Sequence, residues 1–111
     1  MILFDTNVWS VLPRPAGEER VAHWISERMD RAWLSVIAIA EIRAGIENPV
    51  AAAKRKVLEP WLGDLLILCA DRILDFDAPS AQIFGKLLAR RKLEKQDAKL
   101  LDVQLAAQAL S

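Results

Sequence analysis

Met1-Ile-Leu-Phe4 is an apolar run that stops abruptly on a carboxylate, a hydroxyl and an amide, Asp5, Thr6 and Asn7. A run of this length reads as a short buried strand, and open parallel sheets place their ligand crevice at the carboxyl ends of such strands. The polar triplet then suggests a metal or phosphate site. It is equally suited to capping the helix that follows, because Asp, Thr and Asn are all favoured there. Both readings stay open on these residues alone.

Short apolar runs recur and alternate with helical spacing. Asn7 to Leu12 predicts a short helix closed by Pro13 and Pro15, which disfavour helix at and before their own positions. Val21, Trp24, Ile25 and Arg28 predict a helix over about Glu18 to Met29 with its buried stripe centred on Trp24. Trp33 to Val36 predicts a strand, Ile37 to Glu47 a helix, and Pro49 a break. Val57, Leu58, Trp61, Leu62 and Leu65 predict a helix over about Ala51 to Leu66, kinked or divided at Pro60. Ile73 to Phe76 predicts a third strand. Asp77 or Ser80 then caps a helix to about Leu93, and a last helix starts near Ala98. Strands alternating with helices imply βαβ units and a parallel sheet. The fold expected is α/β, with the last helix reaching Leu110-Ser111 where another strand would follow.

With 111 residues, 53% apolar and 27% charged, the chain fits one domain spanning 1–111. Its formal net charge is zero, so a nucleic-acid partner must be met by a local basic patch. The longest apolar stretch, Trp33 to Ala40, is far shorter than a membrane span, and the N-terminal run has no basic leader, so the expected location is cytoplasmic, without membrane. The single cysteine, Cys69, reads as a buried, inert thiol. His23, the only histidine, reads as a surface or partly buried structural residue, and the four tryptophans as mainly core.

Glu41 has Ile37, Ala38, Ala44 and Gly45 as helical neighbours, and Asp102 has Leu105 and Ala106 beside Lys99 and Ala98. Carboxylates in apolar surroundings need a cation, hydrogen bonds or a metal. One solution is a salt bridge, Asp102 with Lys99 or Glu41 with an arginine. The other is convergence of Asp5, Glu41 and Asp102 on a hard cation, Mg²⁺ or Mn²⁺, which oxygen-only ligation selects. No Ser-His-Asp, Cys-His, zinc-spacing or glycine-rich phosphate motif is present. Metal-assisted phosphodiester hydrolysis is the chemistry that fits.

Asp5-Thr6-Asn7 after its apolar start, the stretch Leu34 to Gly45 containing Glu41, and Asp102 to Ala107 resemble the successive motifs of PIN-domain ribonucleases. The likeness is nearest to the VapC toxins of bacterial toxin–antitoxin pairs, including the FitB-like subgroup. It implies a three-layer α/β/α fold with a short parallel sheet, and Asp5, Glu41 and Asp102 as Mg²⁺-binding catalytic residues. Thr6 matches the hydroxyl that supports the site, Asn7 a loop-orienting position, and Gly45 a small position that lets the helix pack closely. The resemblance further implies an RNA substrate, a VapB-type antitoxin and a homodimer. By the same likeness, Val8, Trp9 and Leu12 are candidates for the partner surface.

Two departures stand out. The family usually continues past the last helix into further strands and a turn with a fourth acidic residue, so the C-terminal strands are expected to be missing here and the edge of the first strand to be exposed. The loop Glu94 to Lys99 carries charges where the family more often has glycine and proline, with Asp97 as a candidate cap. Arg90, Arg91, Lys92, Lys95 and Lys99 form a basic stretch before Asp102. Arg91, Lys95 and Lys99 are candidate RNA-phosphate contacts, against the alternative of a solvated helix end complementing the helix dipole.

Three functions therefore compete. The first is a Mg²⁺-dependent endoribonuclease toxin. The second is a catalytically weak relative that acts by antitoxin binding or self-association. The third, a phosphoryl-transfer domain with Asp5 as nucleophile, lacks a second aspartate two residues on and leaves Glu41 without a role.

Overall fold

The computed structural model describes residues 1–14, 18–94 and 100–110, of which 91–94, 100–103 and 105 are described as backbone only. Three strands, β1 (Ile2–Leu3), β2 (Ala32–Ser35) and β3 (Ile73–Leu74), form one parallel sheet in the order β1-β2-β3. Ile2 pairs with Ala32 and Leu3 with Trp33, while Leu34 pairs with Ile73 and Ser35 with Leu74. β2 is central, and Ala32, Leu34 and Ser35 are all buried, as expected of a parallel strand covered on both faces. Among the described residues β1 pairs with β2 alone, so its other edge is open.

The helices are α1 (Thr6–Trp9), α2 (Glu19–Ser26), α3 (Val36–Glu47), α4 (Arg55–Leu68), α5 (Ala78–Glu94) and α6 (Leu100–Leu110). Short 3₁₀ turns, Met29–Arg31 and Pro49–Lys54, precede β2 and α4. α3 packs against β2, α1, α4 and α6, which makes it the hub of the molecule. It begins where Ser35 Oγ accepts the Ile37 amide at 3.0 Å, and it buries Ala38, Ile42 and Ile46 at four-residue spacing. Asp77, rather than Ser80, caps α5: its Oδ1 accepts the Ser80 amide at 3.0 Å. Hydrogen bonds from Ser80 hold the Asp77 carboxyl below its ordinary pKa.

The division expected at Pro60 falls instead at Arg55, where the 3₁₀ turn gives way to α4. Pro60 lies in the second turn of α4, and the carbonyl it leaves without a donor, that of Lys56, belongs to an exposed residue that water can satisfy.

The core unites Phe4, Trp9, Ile25, Leu34, Ala38, Ile46, Leu62, Leu65 and Cys69. Two expectations are reversed in it. Trp24, expected at the centre of a buried stripe, is 45% exposed, and its neighbour Ile25 is fully buried. Helical spacing locates the apolar side of α2 but not its rotation, and the large amphipathic indole settles at the margin, over Phe4 at 5.7 Å and under the Arg28 guanidinium at 4.1 Å. Trp9, a candidate for a partner surface, has no exposed area and meets Phe4 edge-on at 5.2 Å. Cys69 is buried as expected, and burial raises its thiol pKa, leaving it unreactive. His23 lies at the surface, where it pairs with Glu27 at 2.8 Å. No helix among the described residues is long and apolar enough to cross a membrane.

Candidate functional site

Asp5 follows the carboxyl end of β1 and caps α1, with Oδ1 accepting the Val8 amide at 3.0 Å and its carbonyl accepting Val8 and Trp9 amides at 3.2 and 3.3 Å. The capping reading therefore holds, and it does not displace the other. One oxygen fixes the carboxylate's orientation, while Oδ2 has no hydrogen bond among the described residues. Asp5 itself is exposed. Trp9, locked into the core, anchors the short helix that carries Thr6, and Ser10 Oγ returns to the Thr6 carbonyl at 2.8 Å.

Thr6 Oγ1 is buried without a hydrogen-bond partner among the described residues. α1 packs on α3, and Thr6 shares a groove of about 540 Å³ with Glu41, whose walls include Ser10, Gly45, Leu58 and Trp61. Glu41 is half-buried and makes no ion pair or hydrogen bond among the described residues. The salt bridge considered for it goes elsewhere. Arg43, two residues on, binds Glu59 at 2.9 Å and Glu47 at 3.3 Å, and these pairs raise the pKa of its guanidinium further. A half-buried carboxylate and a buried hydroxyl, both without a partner among the described residues and lining one groove, are suited to a ligand.

Gly45 does not serve close helix packing, contrary to expectation: it is exposed, and a Cβ built there meets nothing within 4 Å. Gly45→Ala should therefore stabilise the protein by roughly 0.5–1 kcal/mol through helix propensity alone, read as a higher urea midpoint. A destabilised variant would show that the groove wall at this point is tighter than described.

Asp102 lies on the backbone of α6, but its side chain falls outside the described residues, as do the Arg91 side chain and the whole of Lys95, Asp97 and Lys99. Among the described residues no three His, Cys, Asp or Glu side chains gather as a metal site. Asp5 and Glu41 are the described part of the expected set. The donors there, carboxylate and hydroxyl oxygens with His23 and Cys69 placed elsewhere, suit a hard divalent cation.

Two residues near the site escaped sequence reasoning. Ser35 Oγ donates to Gln108 Oε1 on α6, and Gln108 Nε2 donates to the Leu74 carbonyl at 3.2 Å. Both side chains are fully or almost fully buried. The available signals were a serine just before an apolar helix and a glutamine set among alanines on the last one.

A short parallel sheet with an oxygen-donor cap at the end of its first strand, facing a groove on α3, defines a small α/β domain of the kind that places ligands at strand carboxyl ends. The chain belongs to the PIN domain family, whose model matches residues 2–111. It is 37% identical over 111 residues to toxin FitB of Neisseria gonorrhoeae, covering 98% of this chain and 80% of FitB. Plasmid stability protein StbB of Pseudomonas syringae pv. tomato is 34% identical over 113 residues, covering 100% of this chain and 81% of StbB. VapC ribonuclease Y4jK of Sinorhizobium fredii is 32% identical over 113 residues, with the same coverages. The crystal structure of FitAcB from Neisseria gonorrhoeae superimposes with a TM-score of 0.82 at 37% identity, covering 99% of this chain and 81% of that one. FitAB bound to a DNA fragment gives 0.81 at 36% identity, covering 99% and 78%. The PIN-like α/β fold expected from the motifs is the fold observed.

Proposed function

We propose that this chain is a divalent-metal-dependent endoribonuclease and the toxin half of a toxin–antitoxin pair. Family membership and the names of FitB and the VapC ribonuclease support the class. The observation that carries the site is the Glu41 carboxylate lining the same groove as the Thr6 hydroxyl, both without a partner among the described residues, one residue from Asp5. Asp5, Glu41 and Asp102 hold Mg²⁺ or Mn²⁺. The cation, when bound, offsets phosphate charge and makes water a stronger acid. Asp5 is held in a fixed orientation by its bond to the Val8 amide, and Glu41 supplies charge in a partly desolvated wall, where it counts for more than in water. Thr6 offers its hydroxyl to the substrate side, and Arg91, Lys95 and Lys99 contact RNA phosphates.

The antitoxin, a partner supported by the likeness to FitAB, docks in the groove over Val57, Leu58 and Trp61 rather than on Trp9, which is inaccessible. The working form is a cytoplasmic homodimer of this single domain. Cleavage of RNA in the presence of Mg²⁺, lost on chelation and in Asp5→Asn, tests the reading. Asparagine keeps a capping oxygen for Val8, so the variant should fold. Full activity in folded Asp5→Asn would overturn it.

A second reading, antitoxin binding without cleavage, is favoured by one observation: β1, the strand leading to Asp5, is paired on one side only among the described residues. Undiminished antitoxin binding without measurable Mg²⁺ affinity would select it.

A further inference from the structure

The two helices expected to bring Glu41 and Asp102 together meet at one buried polar junction. Ser35 ends β2 and caps α3, accepting the Ile37 amide at 3.0 Å, and the same hydroxyl donates to Gln108 Oε1. The Gln108 amide nitrogen donates to the Leu74 carbonyl at the end of β3. A single side chain thus ties α6 to the carboxyl ends of two strands and to the first turn of α3. Ser35 has no exposed area and Gln108 only 2%, so neither group has water as a substitute partner.

Glu41 lies six residues beyond Ser35 on α3, and Asp102 six residues before Gln108 on α6. At 1.5 Å rise per residue each of these backbone positions stands about 9 Å along its helix from the junction. Apolar packing between α3 and α6 tolerates a slide or rotation of small amplitude, since dispersion contacts are non-directional. Two hydrogen bonds of one amide, one accepted from Ser35 Oγ and one donated to the Leu74 carbonyl, do not.

We propose that Gln108, with Ser35, is a positioning residue that registers α6 against α3 and so sets where Asp102 is delivered relative to Glu41. The proposal rests on the reading of Asp102 as a metal ligand. Groups that orient ligands from behind characteristically change metal affinity by about 10–100-fold when removed.

The test is Mn²⁺ titration followed by electron paramagnetic resonance on the full chain, without RNA. Gln108→Leu should retain the helical circular dichroism and lose about tenfold or more in Mn²⁺ affinity, whereas Ser35→Thr, which keeps the hydroxyl, should bind as the parent does. Leu65→Ala, a core change on α4, should lower thermal stability with Mn²⁺ affinity within about twofold of the parent. If Gln108→Leu does not fold, Ser35→Ala carries the same expectation. Unchanged affinity in the folded variant, or an equal loss in Leu65→Ala, overturns the positioning role. Parent-like affinity in Asp102→Asn overturns instead the reading on which it rests.

Discussion

Glu41→Gln should abolish most RNA cleavage, by at least about a hundredfold or roughly 2.7 kcal/mol of barrier, without lowering the melting temperature. The two halves of this result have one cause. Glu41 is half-buried and has no cation or donor among the described residues, so an isosteric amide removes no contact described there that supports the fold. The Glu41 charge is what a hard cation and a phosphodiester require of the groove shared with Thr6. A residue held for stability would show the opposite pairing, with a lower melting temperature and activity falling only as far as folding does. Thermal melts and single-turnover cleavage on the same preparations separate the two.

Trp9→Ala should cost about 3–5 kcal/mol, a large share of the stability of a domain this size. Trp9 has no exposed area, meets Phe4 edge-on, and is the only fully buried side chain of α1. Its loss leaves a cavity directly beneath the helix that carries Thr6 and is capped by Asp5, so cleavage should fall in whatever fraction remains folded. Trp9→Phe should cost substantially less, because it keeps an aromatic face against Phe4 and discards an indole N–H that is buried without a partner among the described residues. Urea midpoints of the two variants give the comparison. Equal costs would mean that the indole nitrogen has a role that the ring alone does not explain.

These expectations show where the sequence was readable and where it was not. A parallel sheet of three short strands, a helix ending at Glu47 and the burial of Cys69 follow from apolar runs and 3.6-residue spacing, with the helix starting at Val36, one residue earlier than its pattern indicated. Asp5 was legible as a helix cap, and the cap uses one of its two carboxylate oxygens. Rotation of a helix about its axis was not legible: α2 turns Ile25 inward and leaves Trp24 at the rim, and no local pattern distinguishes the two placements. Pro60 suggested a break but lies early enough in α4 to be absorbed. The Ser35–Gln108 bond joins residues 73 apart, and only tertiary structure pairs them. For Glu41, apolar neighbours indicated an inward carboxylate, and the fold adds that its potential arginine partner, Arg43, is engaged with Glu59 and Glu47.

The central claim, that Asp5, Glu41 and Asp102 form one oxygen-ligand site for a divalent cation, is tested most directly by anomalous diffraction from Mn²⁺-soaked crystals of the full chain. The account predicts a manganese peak about 2.1–2.3 Å from carboxylate oxygens of all three residues, including Asp5 Oδ2, the oxygen left free by the cap. Manganese bound elsewhere, or no peak between these residues at a concentration that supports cleavage, would contradict it.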